Sequence, residues 1–366
     1  MNKTAISLFS GAGGMDVGFK AAGFDIIWAN DNDKNACETY RSNHKNPIKC
    51  GNIEEYYDEL KRLGKVDLVF GGPPCQGFSV AGKMDPNDER SKLIWSFLNV
   101  VKIVQPEIFV MENVKALGQL AKWSSVRSKF LEISNELGYN CEFTILNSSE
   151  FNTPQARERV FFIGIKDFSL FNLEELYQKF KKPGPTVKEV LKPLGKAGSP
   201  NNNRLCNAEI TIAANPVMRR SPYAGMLFNG LGRPIKVNGY AATLPASMGG
   251  NKTPIIDELE LHENKSSWVE EYHKNLMAGK KPLGFKETPK RLRRLTIDEC
   301  ILLQTFPKNY IFKGSNSSIF RQIGNAVPCN LAEAVGNMAM YLLDCKKKGI
   351  NILDDYQNTV QLKMFA

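Results

Sequence analysis

The sequence predicts an α/β protein: a mostly parallel sheet with helices on both faces, joined to a smaller, irregular second region. Three observations predict it. Short apolar strands alternate with helix-period segments through the first 165 residues, the mark of a wound parallel sheet. After about Phe168 the pattern turns proline- and glycine-rich, with Pro183, Pro185, Pro193 and Pro200 and a Gly195–Asn203 loop. Charge is also segregated. Residues 1–165 carry a net −1 and residues 296–366 a net +1, so the whole net charge of +10 resides in residues 166–295.

In order, Ala5–Phe9 reads as a buried strand, followed by a glycine turn and a helix to about Ala22. Ile26–Ala29 is a second strand, ended by Asn30-Asp31-Asn32-Asp33, and Lys34–Asn43 is a helix. Val66–Phe70 is a strand that runs into Gly71-Gly72-Pro73-Pro74. Leu93–Val104 is a helix by its apolar spacing, Ile108–Met111 a strand and Val126–Leu137 a helix. Cys141–Leu146 and Val160–Ile165 close the strand series. From about 200 to 284 the signals are short and turn-rich, with little amphipathic helix. Helical pattern returns at Thr296–Thr305, where Thr296 and Glu299 have capping-box spacing, and at Ala332–Lys346. The expected divisions are 1–185, 186–307 and 308–366, the last returning to the first.

Composition narrows the class. The chain has 366 residues, with 42% apolar and 23% charged types, which excludes a disordered tail, a collagen-like fibre and a disulfide scaffold. No apolar run approaches the roughly 20 residues of a membrane span. Met1–Gly11 is too short for a signal-peptide core, so a cytoplasmic location is expected. The eight cysteines form no Cys-x-x-Cys pair and the three histidines are scattered, so no metal site is expected. The densest basic run, Lys280–Arg294, suits a polyanion through counterion release, or else a solvated face.

Three places carry chemistry. Phe9-Ser10-Gly11-Ala12-Gly13-Gly14 lies between a strand and a helix, where glycines let the backbone turn tightly and approach a ligand. Asp31 follows Gly11 by 20 residues, about the spacing at which a carboxylate takes ribose hydroxyls. The strict G-x-G-x-x-G pattern fails because position 16 is Asp. That disfavours a pyrophosphate and leaves room for a nucleoside without phosphates, or for a plain strand–helix turn. Cys75 follows a stiff diproline at a strand's carboxyl end, where it faces the ligand crevice of an open sheet. A nucleophilic role there requires a stabilised thiolate. Glu112 also sits at a strand's carboxyl end, desolvated on one side, where a raised pKa suits proton donation. Arg157 and Arg159 alternate along a strand and are expected to share one face.

Together these motifs resemble the cytosine-5 DNA methyltransferase family of bacterial restriction–modification type. The blocks occur in the family's order: Phe9–Gly14, Pro73-Pro74-Cys75-Gln76, Glu112-Asn113-Val114 and Gln155-x-Arg157-x-Arg159. Then come Arg294-Leu295-Thr296 through Pro307, and Gln322-Ile323-Gly324-Asn325-Ala326-Val327-Pro328. The resemblance implies a Rossmann-like, S-adenosylmethionine-dependent methyltransferase sheet with a target-recognition domain between Arg159 and Arg294. Cys75 would add to ring carbon 6 of an extruded cytosine. Glu112 would hold ring nitrogen 3 and the exocyclic amine, Arg159 the carbonyl oxygen, and Arg157 would support the site. S-adenosylmethionine would lie on Phe9, Gly11, Gly13 and Gly14, with Ala12 and Asn32 beside them and Asp31 on the ribose. Asn52 and Ile53 would flank the adenine, Pro74 and Leu93 lie alongside, and Asn325 and Val327 close the site. Asp31 stands where the family usually has Glu, and Asn52 where it often has Asp.

The expected DNA contacts are Gln76, Ser79, Thr243, Leu244, Lys290, Arg291 and Arg293, with Ser247–Thr253 as a base-reading loop. The implied partner is duplex DNA, met by a monomer, with a cognate restriction endonuclease acting separately. Three rival readings are a tRNA cytosine-5 methyltransferase, a DNA-binding protein without catalysis, and, from the glycine turn alone, a nicotinamide oxidoreductase. The long basic region disfavours the first. Intact Cys75, Glu112, Arg157 and Arg159 argue against the second. The third leaves the diproline–cysteine loop without a purpose.

Overall fold

Parallel strands buried on both faces need near-continuous apolar runs, and Leu68-Val69-Phe70 and Ile108–Met111 are such runs, all fully buried. A computed structural model of the chain describes residues 3–74, 92–168 and 172–350. The chain divides into two units. The first comprises residues 1–151, 158–182 and 329–366, and the second residues 152–157 and 183–328. Thus the second division falls at 328/329, beyond the expected 307/308, and the first at 182/183.

The first unit begins with β1 (Lys3–Leu8), α1 (Gly14–Ala21), β2 (Phe24–Asp31), α2 (Lys34–Asn43), β3 (Ile48–Cys50) and α3 (Tyr57–Leu60). It continues through β4 (Leu68–Gly71), α4 (Lys92–Val104), β5 (Ile108–Val114), α5 (Lys115–Gln119), α6 (Ser124–Glu136) and β6 (Tyr139–Asn147). Strand β7 (Gln155–Ala156) belongs to the second unit; β8 (Glu158–Lys166) and α7 (Leu173–Gln178) return to the first. The sheet order is β3-β2-β1-β4-β5-β8-β6. Strands β3, β2, β1, β4 and β5 are parallel, and β8 runs antiparallel to both its neighbours. Side chains alternate across a strand. Val69 joins the cluster containing Phe97 of α4 and Phe130 of α6, while Phe70 stacks on Phe19 of α1 at 4.2 Å. Helices therefore cover both faces, as expected.

The order reverses between β1 and β4, the switch point at which open α/β sheets bind ligands beyond their carboxyl ends. Two glycines let the backbone close up there. A Cβ on Gly71 would lie 2.3 Å from the Leu8 carbonyl of β1. One on Gly18 of α1 would lie 2.4 Å from the Glu333 amide of α13 (Cys329–Lys348). Helix α13 thus anchors the helix that follows the glycine turn.

The second unit continues with α8 (Val187–Leu191), β9 (Ile212–Val217), β10 (Met226–Phe228), β11 (Ala241–Ala242), β12 (Ile255–Asp257), α9 (Glu258–Glu263) and α10 (Trp268–Met277). It ends with β13 (Leu292–Arg294), α11 (Ile297–Leu303) and α12 (Asn316–Asn325). Its strands form pairs: β9–β10 and β12–β13 antiparallel, β7–β11 parallel. A core of Ile210, Ile212, Leu227, Phe228, Ile255, Val269, Tyr272 and Leu292 holds two of these pairs to α10. The Thr296–Glu299 capping box forms at the start of α11. Helix α10 corrects the expectation of little helix before 284, and α12 was not expected. Among the described residues no helix is long and apolar enough to cross a membrane.

Candidate active site

The carboxyl ends of β1, β2, β4 and β5 bring several of the expected residues to one side of the first unit's sheet. After β1 the chain takes left-handed backbone at Phe9 (φ +52°), Gly11 (φ +54°) and Gly13 (φ +84°). Phe9 is not a glycine, so this conformation costs energy and is held by its surroundings. The ring packs against the core, and the Ser10 amide donates to the Asn30 carbonyl at 2.9 Å. The Gly11 amide donates to Asp31 Oδ2 at 2.8 Å, and the Asp33 amide to Oδ1 at 2.8 Å. Burial raises the Asp31 pKa above the usual carboxylate value, and these amides counteract part of that. A Cβ on Gly11 would meet no atom within 4 Å. Of the other residues expected at a cofactor, Ala12, Gly13, Gly14 and Ile53 are buried, while Asn32 and Asn52 are exposed. Pro74 and Leu93 are half-buried.

A polar chain runs beneath the turn. Ser10 Oγ lies 2.8 Å from Ser7 Oγ, Ser7 Oγ donates to Asp16 Oδ2 at 3.0 Å, and the Tyr40 hydroxyl donates to Asp16 Oδ1 at 2.7 Å. Asp16 is fully buried, and desolvation raises its pKa to about 6 despite those two hydrogen bonds. This residue entered the sequence reading only as a break in the glycine pattern. The pattern itself could not show that a carboxyl group supports the turn from below.

The second cluster is built on β4 and β5. Gly72 follows β4, and its missing Cβ would lie 2.8 Å from Glu112 Oε2. Asn113 Nδ2 donates to the Pro73 carbonyl at 3.2 Å, tying the diproline to β5. Glu112 lies within β5, two residues before its end, instead of just beyond the strand. Its Oε1 accepts from Arg159 Nε at 2.9 Å, with both side chains mostly buried at 12% and 14% exposure. Antiparallel pairing sets this up, since Val114 of β5 faces Arg159 of β8. Arg159 Nη1 also donates to the Glu158 carbonyl at 2.8 Å, and Glu158 pairs with Lys115 at 2.8 Å. A half-enclosed carboxylate oriented by a guanidinium can accept from, and hold, a polar heterocycle. Cys75, Gln76 and Ser79 lie outside the described residues.

The remaining expected residues belong to the second unit, and several need correction. The strand breaks at Arg157, so Arg157 and Arg159 do not share one strand face. The Arg157 guanidinium is buried and donates to the carbonyls of Leu244 and Gly324, both at 3.0 Å. Gln155 works alongside, accepting from the Leu244 amide at 2.9 Å and donating to Gln304 Oε1 at 3.0 Å. Arg157 therefore braces the second unit. Leu244 is fully buried, so its side chain cannot be a DNA contact, whereas Thr243 is exposed. Asn325 is exposed at the end of α12 and Val327 is buried. Arg291 donates to Asp257 at 2.7 Å. Arg293 donates to both oxygens of Glu299, at 2.8 and 2.7 Å, and also pairs with Glu258. These two are internal ion pairs rather than open phosphate contacts. Lys290 is exposed.

A family model, C-5 cytosine-specific DNA methylase, matches residues 3–340. The chain is 34% identical over 350 residues to the Type II methyltransferase M.FnuDI of Fusobacterium nucleatum, covering 94% of this chain and 96% of that one. It is 32% identical over 346 residues to the Type II methyltransferase M.MthTI of Methanothermobacter thermautotrophicus, covering 91% and 96%. The fold is similar to that of the S. pombe Dnmt2 methyltransferase, with a TM-score of 0.67 at 20% identity, covering 94% of this chain and 99% of that one.

Proposed function

The chain belongs to the C-5 cytosine-specific DNA methylase family, and from that premise we propose how its own residues methylate cytosine in duplex DNA. Carbon 5 of cytosine is a poor nucleophile until a nucleophile adds at carbon 6, so the reaction calls for covalent catalysis. The Cys75 thiolate adds to carbon 6 of an extruded base, and carbon 5 becomes electron-rich. Once carbon 5 carries the methyl group, its donor left behind as a neutral thioether, the carbon 5 proton passes to solvent, the ring double bond reforms and the Cys75 thiolate leaves. Extrusion from the stack costs a few kcal/mol.

In its protonated form Glu112 donates to ring nitrogen 3 and accepts from the exocyclic amine, and Arg159 donates to the ring carbonyl oxygen. The observation that carries this reading is the Glu112–Arg159 pair beside the Cβ-free Gly72, next to the loop that leads to Cys75. Those two side chains supply the acceptor and donors that a cytosine edge requires, in a partly desolvated place.

S-adenosylmethionine, when bound, supplies a methyl group activated by a sulfonium. The residues of this chain fit such a group. Open space over Gly11 admits a ligand against the backbone, and Asp31 is half-buried and locked by two amides. Each carboxylate oxygen keeps a second lone pair for ribose hydroxyls. Ala12, Gly13, Gly14, Asn32, Asn52, Ile53, Pro74 and Leu93 border this space in the proposal. The same proposal takes the chain to act as a cytoplasmic monomer on duplex DNA, alongside a separately acting cognate restriction endonuclease.

Bisulfite sequencing of DNA from cells expressing the chain tests the function, with 5-methylcytosine expected in one fixed context. Cys75→Ser is expected to abolish methylation and leave DNA binding within about twofold. A serine variant that turns over like the wild type overturns the covalent step.

A further inference from the structure

Several of the second unit's arginines are engaged within it. Arg204 is paired with Asp298, Arg291 with Asp257, Arg293 with Glu258 and Glu299, and Arg294 donates to the Thr253 carbonyl. Arg219 and Arg220 are different. They are adjacent and exposed, and neither guanidinium has a partner among the described residues.

Their backbone, by contrast, is fixed. They lie on the turn of the β9–β10 ribbon, where Val217 pairs with Met226. A Cβ on Gly225 would lie 2.7 Å from the Val217 carbonyl, so the two arms approach closely at the base of the turn. Buried His273 Nε2 donates to the Arg219 carbonyl at 2.8 Å. The Tyr223 hydroxyl donates to Glu270 at 2.9 Å. Both anchors stand on α10, which packs through Val269 and Tyr272 into the same core as Ile212 and Phe228. At the ribbon's other end, Asn229 Nδ2 donates to the Ile212 carbonyl at 2.8 Å.

The turn is thus a stiff mount for two unengaged cationic forks. A two-stranded ribbon is one of the shapes the major groove of B-DNA admits. The planar guanidinium matches O6 and N7 of guanine in a bidentate pair, which an ammonium cannot reproduce. Every cytosine target in a duplex is itself paired with guanine. Resting on the duplex-DNA reading above, we propose that the β9–β10 ribbon enters the major groove and that Arg219 and Arg220 read guanines of the recognition sequence. They are specificity-determining residues, and Lys290 and the other exposed lysines of the unit contact phosphate. The sequence alone points instead to Lys290, Arg291 and Arg293 of the dense run, with Gln76, Ser79, Thr243 and Leu244. Among the described residues the guanidiniums of the adjacent pair at 219–220, like that of the lone Arg233, have no hydrogen bond or ion pair within the fold.

The test is methylation of a plasmid library randomised around cytosines, read by bisulfite sequencing, for wild type, Arg219→Ala, Arg220→Ala, the two lysine variants and Arg233→Ala. Arg233 is an exposed arginine elsewhere in the unit. Each alanine variant is expected to lose about 5- to 150-fold discrimination at one guanine position. Lysine is expected not to restore it, and Arg233→Ala to keep the wild-type context. Melting temperatures stay within about 1 °C, because both side chains are exposed. Unchanged discrimination in both alanine variants overturns the proposal. So does a uniform loss across all sequences with a shallower salt dependence, which marks phosphate contact. A wild-type chain that methylates no cytosine overturns the functional reading first, and this inference with it.

Discussion

Replacing Arg293 by alanine separates an internal brace from a DNA contact. Glu299 is fully buried, and its carboxylate accepts from Arg293 Nη1 and Nη2 at 2.8 and 2.7 Å, from the Thr296 amide at 2.9 Å and from Asn202 Nδ2 at 3.2 Å. The substitution removes the two charged donors and leaves the two neutral ones. Stranding one partner of a buried pair costs about 3–5 kcal/mol. Arg293 is about one-fifth exposed, so the lower end, about 3 kcal/mol, applies. For a unit of this size a loss of 1 kcal/mol lowers the midpoint by about 2–4 °C, so the second unit's transition is expected to fall by about 6–12 °C. Calorimetry measures that fall, and a fluorescence titration over a salt series measures the salt dependence of DNA binding, which is expected to keep the wild-type slope. An unchanged midpoint together with a slope reduced by about one unit would refute the brace and restore the phosphate contact.

Other predictions follow from the first unit. Gly72→Ala places a Cβ against Glu112 Oε2, the movable end of a side chain, so stability is expected to change by less than about 1 kcal/mol. The displaced carboxylate is expected to lower the methylation rate by about 100-fold, and single-turnover kinetics with full activity would contradict the role of Glu112. Asp16 holds its proton up to about pH 6 in the folded chain, against an ordinary value of 3.8. The native state binds more protons than the unfolded state between those values. Stability therefore falls as pH rises through that window, by about 3 kcal/mol in all. In Asp16→Asn this component disappears. Urea unfolding is expected to show the variant gaining on the wild type by about that amount between about pH 4 and 6, and parallel pH profiles would contradict it.

Much of the catalytic unit was legible in the sequence because its demands are local. The glycine turn needs left-handed backbone at Gly11 and Gly13, and Asp31 is reached by one strand–helix–strand repeat. What escaped depends on partners remote in sequence. Arg293 reads as one more charge in a basic run until Glu258 and Glu299 are folded against it. Arg157 reads as the neighbour of Arg159 until the strand breaks and its guanidinium turns to Leu244 and Gly324. Thr243-Leu244 reads as a contact motif, but only the threonine reaches solvent. Helix α10 did leave a signal: Ser267 three residues before Glu270, then Val269, Tyr272 and Leu276 at helical spacing.

The covalent step is the claim on which the catalytic account rests. Replacing the target cytosine with 5-fluorocytosine removes the proton whose loss releases the enzyme. A duplex carrying it, incubated with the chain and S-adenosylmethionine, is expected to yield a stable complex in which mass spectrometry locates the base on the peptide containing Cys75. Methylation of the natural duplex without any such adduct on the fluorinated one would contradict the account.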